Sequence, residues 1–190
     1  MSITLLTILS ICIIIAGWQL AVWLSEIRYK NKKCKAAVDC SHKRNKPMLV
    51  AGGPWGGHSL RRLFNLPAHT KGDVCIDIKA SAIMNWPNGI VADVTYLPFP
   101  NKTFGAAFAS HLLEHLPNTT SAKQALAELN RVADEVFIAY PSRQSLPAWL
   151  IRDHHIWVWQ KDETAYLKQR GNTRGRKQEE HYNLVNGQSS

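Results

Sequence analysis

The chain has 190 residues, of which 45% are hydrophobic and 19% charged, and its formal net charge is +9 at pH 7. That size and apolar content suit one globular domain, with part of the apolar content used elsewhere. The excess charge is uneven: eight Lys and Arg stand against two Asp and Glu over residues 1–46, nine against eight over 47–160, and six against four over 161–190. A nucleic-acid partner is therefore not expected, because the central part is nearly neutral and its basic residues form no recognition motif.

Ile3 to Leu24 carries no charge and meets the length of about 20 apolar residues that spans a bilayer. The residues before it include no basic side chain, as a cleaved secretory signal would, and Trp18 and Trp23 suit an interfacial belt. Residues 1–28 are thus expected to be a single-pass membrane anchor, followed by a basic juxtamembrane linker over 29–46. Arg28, Lys30, Lys32, Lys33 and Lys35 place the domain behind them in the cytoplasm by the positive-inside rule. The four cysteines, Cys12, Cys34, Cys40 and Cys75, form neither a disulfide framework nor a zinc signature.

Pro47 opens the domain, expected over 47–161. Short apolar runs predict strands near 48–51, 74–78, 89–92, 104–110 and 135–140, with 89–92 and 104–110 read as buried. Helices are predicted near 58–66 and 121–134, the latter capped by Ser121, and this alternation gives a parallel sheet covered by helices. In such a sheet ligands bind beyond the carboxyl ends of the strands. Asp77 and Asp93 stand at two of those ends, and the glycine-rich turn MLVAGGPWGG, with Gly52, Gly53 and Gly56, follows the first strand. An acid at the tip of the second strand, about twenty residues past such a turn, suits both hydroxyls of a ribose.

Beyond the fifth strand the sequence predicts a helix near 144–151 and one strand-like run, Ile156 to Trp159. Residues 162–190 are polar and are expected to be a tail. His154 and His155 are adjacent with no third ligand nearby in sequence, so no metal site is expected.

Ala92-Asp93, Leu97-Pro98-Phe99 and Ser110-His111-Leu112-Leu113-Glu114-His115 together resemble the class I S-adenosylmethionine-dependent methyltransferases, in particular their small type 11 branch. The resemblance covers roughly Pro47 to Trp159. It implies a Rossmann-like, doubly wound, mainly parallel α/β sheet, here compact and truncated at its carboxyl-terminal edge. S-adenosylmethionine is the implied cofactor. Asp77 would hold the ribose and Asp93 the adenine, with Gly52, Gly53, Gly56 and Ser110 completing the binding set. His115 is the catalytic candidate, as a base for a hydroxyl or amine acceptor.

Two departures stand out. No carboxylate precedes Gly52, and Pro54 or Trp55 replaces the middle glycine of the loop. The implied activity is methyl transfer to a small or lipid-like acceptor at the membrane. The alternatives are a methyltransferase-like scaffold without catalysis and a nucleotide-binding oxidoreductase.

Overall fold

The computed structural model describes residues 2–54, 72–171, 179–185 and 188–189. The predicted helix at 58–66, with Trp55 and Gly56, lies outside the described residues. Five short strands form a parallel sheet: β1 (Met48–Ala51), β2 (Val74–Asp77), β3 (Gly89–Val91), β4 (Ala106–Ser110) and β5 (Val136–Ala139). Their order is β3-β2-β1-β4-β5. Chain order reverses between β1 and β4, and such a switch point leaves a crevice beyond the strands' carboxyl ends.

β1 and β4 are buried along their whole length, as strands covered on both faces must be. Side chains alternate between faces at period two. Leu49, Ala51, Ala107 and Ala109 join one apolar cluster, and Met48, Val50, Ala106 and Phe108 the other. The first cluster is covered by α3 (Thr119–Val132), whose Ala122, Ala125, Leu126, Leu129 and Val132 are fully buried. Its cap is Asn118, which accepts the Ser121 N–H at 2.8 Å, so the capping residue lies three positions before the one predicted. A short helix, α2 (Ala80–Ile83), connects β2 to β3.

The other face is covered by α1 (Ile3–Lys43), an unbroken helix. The basic stretch 29–46 is therefore not a free linker. Gln19, Val22, Glu26, Tyr29, Lys33, Ala37 and Ser41 recur at three- and four-residue spacing, one stripe of a helix, and this stripe meets the domain. Ala37 and Ser41 are buried, and Gly105 makes that fit possible: a Cβ built there would lie 2.9 Å from the Ser41 Cα. Lys46 and Arg44 fasten the end of the helix to Asp134, at 2.8 and 3.5 Å. The apolar amino-terminal part of α1 is long enough to cross a membrane, and only 6% of its most apolar window is buried.

Three other expectations are corrected. β3 is the edge strand, with Ile90 and Val91 exposed, rather than a buried one. The described residues of 162–190 carry strands rather than a tail, and more than the one expected strand follows the fifth. After α4 (Leu146–Leu150), β6 (Ile156–Lys161), β7 (Thr164–Gln169), β8 (Glu179–Asn183) and β9 (Gln188–Ser189) form a separate antiparallel sheet in sequential order. Its Ile156, Val158, Ala165, Leu167, Tyr182 and Leu184 join the main core. The polar residues that suggest a tail occupy the outward positions of these strands, as in Thr164, Tyr166 and Lys168 around buried Ala165 and Leu167.

Candidate functional site

A cleft of about 80 Å³ opens beyond the carboxyl ends of β1, β2 and β3. Gly52 and Asp77 line it, as do Asp93 and the apolar Ile76, Ile78, Val94, Leu112 and Leu116. The turn after β1 depends on its two glycines. Gly52 and Gly53 have φ of +108° and +58°, a region that side chains rarely enter. Both donate their N–H to the Ile76 carbonyl at 3.0 Å, which folds the turn against β2. A Cβ on Gly53 would meet Asp77 Oδ2 at 2.9 Å, and one on Gly52 would lie 3.2 Å from the Ser110 carbonyl oxygen. The glycines thus let the backbone close on the two strand ends beside it.

Asp77 is half-buried, and its Oδ1 accepts the Lys79 N–H at 2.7 Å. Burial pushes its carboxyl above the usual range, while that hydrogen bond and the charges of Lys79 and His115 pull it down. Asp93 accepts the Thr95 N–H and hydroxyl at 2.8 and 2.7 Å, through Oδ1 in both cases. The Leu97-Pro98-Phe99 segment behind Asp93 is held by two residues that sequence reading overlooked. Glu128 accepts the Leu97 N–H at 2.8 Å, and Arg131 donates to the carbonyls of Leu97 and Phe99 at 2.9 and 2.7 Å. Their mutual ion pair, at 2.7 Å, sits three residues apart on α3 and is legible as a helical pair, though not its target.

Ser110 and His115 lie outside the lining of this cleft. Ser110 is fully buried at the end of β4. His115 is exposed, on the single 3₁₀ turn Leu113–His115. Its Nδ1 lies 3.1 Å from the Asp153 carbonyl, and its ring meets that of His154 edge to face at 4.8 Å. Beside them is Glu114, 1% exposed, which enters the sequence reading only as part of the Ser110 to His115 motif. A larger open groove of about 410 Å³, lined by Asp39, Cys40, Lys43, Arg44 and Glu135, lies at the opposite pole, against the end of α1.

The cleft suits the adenosine half of S-adenosylmethionine. Two carboxylates stand at neighbouring strand ends with apolar side chains between them for a planar base, and Asp77 Oδ2 faces the glycine turn. The turn offers less to the amino-acid half. The N–H groups of Gly52 and Gly53 are already engaged, and the residue before Gly52 is Ala51 rather than an acid.

Residues 56–135 match the family model described as "Methyltransferase domain". Among curated proteins nothing matches. The fold is similar to that of PH0226 protein from Pyrococcus horikoshii OT3, with 16% identity, a TM-score of 0.42, and 75% of this chain and 70% of that one covered. An S-adenosylmethionine-dependent methyltransferase from Clostridium acetobutylicum ATCC 824 is also similar, at 16% identity and TM-score 0.38, covering 64% of this chain and 52% of that one. A third is SAM-bound CalS10, an amino pentose methyltransferase from Micromonospora echinaspora, at 13% identity and TM-score 0.40, covering 80% and 68%. The match over residues 56–135 falls on a parallel sheet of order β3-β2-β1-β4-β5 with acids at the ends of its strands, and in both respects the chain is similar to a methyltransferase domain.

Proposed function

We propose that the protein is a single-pass membrane-anchored methyltransferase, with its domain in the cytoplasm, acting on a small or lipid-like acceptor drawn from the membrane surface. The observation that carries this reading is the direction of α1. Ser41 packs at Gly105, where β4 begins. Toward the helix's amino end the contacts move to the other pole of the sheet. Tyr29 meets Tyr140 at 3.5 Å, Glu26 accepts the Ser142 N–H at 2.6 Å, and Gln19 accepts the Leu146 N–H at 2.9 Å. α1 thus runs antiparallel to the strands, and the cleft end of the sheet faces the apolar half of the helix.

Gln19 lies inside the uncharged run, so α4 stands level with its last residues. Leu146, Trp149, Leu150 and Ile151 are exposed there, an apolar group suited to the boundary between head groups and acyl chains. The basic residues Arg28, Lys32 and Lys35 further along α1 suit anionic lipid and cytoplasmic placement.

S-adenosylmethionine supplies the methyl group as an electrophilic sulfonium when bound. Asp77 would accept hydrogen bonds from its ribose hydroxyls and Asp93 from the adenine amino group. Gly52, Gly53 and Gly56 would let the backbone approach the rest, with Ser110 buried beside Gly52 at the end of β4. Positioning and exclusion of water are the protein's main contribution to such an in-line displacement. His115, exposed beside the cleft, would take the proton of a hydroxyl or amine acceptor. Transfer of radiolabelled methyl groups into a membrane lipid extract tests the proposal. The intact protein should label it and Asp77→Asn should not. Equal labelling by both, or none by either when folded, would remove it.

A second reading, a methyltransferase-like scaffold without catalysis, is favoured by one observation: both glycine N–H groups of the loop are spent on Ile76, and no acid precedes them. Binding of S-adenosylmethionine without any methyl transfer would select it.

A further inference from the structure

Glu114 is the least provided-for charged group among the described residues. Its side chain is 1% exposed, and neither carboxylate oxygen has a hydrogen-bond partner. The nearest cationic candidate is His111, whose Nδ1 lies 3.4 Å from Oε1. A buried carboxylate is costly to keep unless it is paired or bound to a cation.

Two imidazoles stand beside it. The ligand atoms of Glu114, His115 and His154 lie within 4.8 Å of one another. Both rings are fixed in the same way: Nδ1 of His115 lies 3.1 Å from the Asp153 carbonyl, and Nδ1 of His154 lies 3.2 Å from the Ala148 carbonyl. A carbonyl only accepts, so Nδ1 carries the proton in each ring and Nε2 keeps its lone pair. Metal-binding histidines are oriented by this kind of outer contact.

We propose that Glu114, His115 and His154 form a site for one divalent transition-metal cation, zinc foremost. Two imidazole nitrogens and a carboxylate oxygen are a zinc donor set that leaves a fourth position open. His115 is the exposed member, so the open position lies on its side. That position takes water or an oxygen of the acceptor. With the cation bound, the Nε2 lone pair of His115 is committed; the cation in its place acidifies the oxygen it holds, and the proton passes to bulk water on the exposed side of His115. The site thus deepens the proposed function, on which it rests, by favouring acceptors with a hydroxyl.

The test uses the full chain in detergent, stripped of metal with a chelator and titrated with Co²⁺, whose visible absorption reports its coordination, and then with Zn²⁺. Glu114→Gln and His154→Asn are compared with wild type, and His155→Asn serves as control, because His155 is exposed and outside the cluster. Wild type and His155→Asn should bind a single equivalent of Co²⁺, release it to Zn²⁺, and melt at higher temperature with Zn²⁺. Glu114→Gln and His154→Asn, folded by circular dichroism, should bind about 100-fold more weakly or worse. Folded wild type that takes up neither metal, or either variant binding as wild type does, overturns the proposal. Metal content is read without any methyl transfer, so failure here is distinct from failure of the methyltransferase reading.

Discussion

Asp77 holds its charge against its surroundings. Burial raises its carboxyl, so its folded value lies above that of the unfolded chain. Its contribution to stability is therefore fully present below the unfolded value and is lost as pH rises through the folded one. Removing the charge should relieve this penalty while the ligand loses an acceptor. Asp77→Asn is expected to melt higher than wild type at neutral pH without ligand, and to bind S-adenosylmethionine about 1 to 3 kcal/mol more weakly by calorimetry. A lower melting temperature would show that the carboxylate serves the fold.

The places of Asp77 and Asp93 along the cleft were legible because each ends a short apolar run in a parallel sheet. The Glu114 cluster was not. His154 reaches Glu114 from the loop after α4, and in sequence it shows only an adjacent histidine, His155, that stands outside the cluster.

Among the elements, α3 supports the cleft without lining it. Its Glu128 and Arg131 pin the Leu97-Pro98-Phe99 segment and so hold Asp93 in place. Arg131→Ala should cost about 1 to 2 kcal/mol in chemical denaturation and weaken cofactor binding indirectly. The Arg131 hydrogen bond keeps the Glu128 carboxyl below the usual range. Its stabilisation is present above the unfolded value and falls away as pH drops through the folded one. Acid melts should therefore show wild type and Glu128→Gln converging at low pH, where the wild-type carboxylate is protonated.

The seat of α1 is just as specific. Gly105→Val would drive side-chain atoms into the Ser41 backbone and should cost about 1 to 3 kcal/mol by denaturant titration. The five central strands were readable from their apolar runs. The continuation of α1 beyond Leu24 was not, since its docking stripe mixes Glu26, Tyr29, Lys33 and Ser41, joined by hydrogen bonds and small-residue contact rather than by an apolar period.

For the molecule as a whole, the carboxyl-terminal strands belong to the fold. Stopping the chain after Lys161 removes Ala165, Leu167, Tyr182 and Leu184 from the core and strips β6 of its partner. Such a chain should be digested by a dilute protease under conditions where the full chain survives. Protection equal to the full chain would mean that the antiparallel sheet is dispensable. The proposed orientation is checked by an impermeant thiol reagent on intact cells, with cysteines placed at Ser2 and Ser189. Labelling at position 2 alone fits a cytoplasmic domain, and labelling at 189 alone reverses it.

On the proposed anchoring, the unbroken course of α1 through its docking stripe would make it a depth gauge. A flexible tether would let the cleft sample many heights above the bilayer, whereas a helix fixed at Gln19, Glu26, Tyr29 and Ser41 leaves one. The proposed acceptor would then be selected by how far its reacting atom stands from the acyl chains, before any contact with the cleft distinguishes it. Four leucines inserted ahead of Gln19 would leave every docking contact intact and lengthen the apolar run by about 6 Å. The domain would ride higher, and methyl transfer would shift toward acceptors whose reacting atom protrudes further from the membrane.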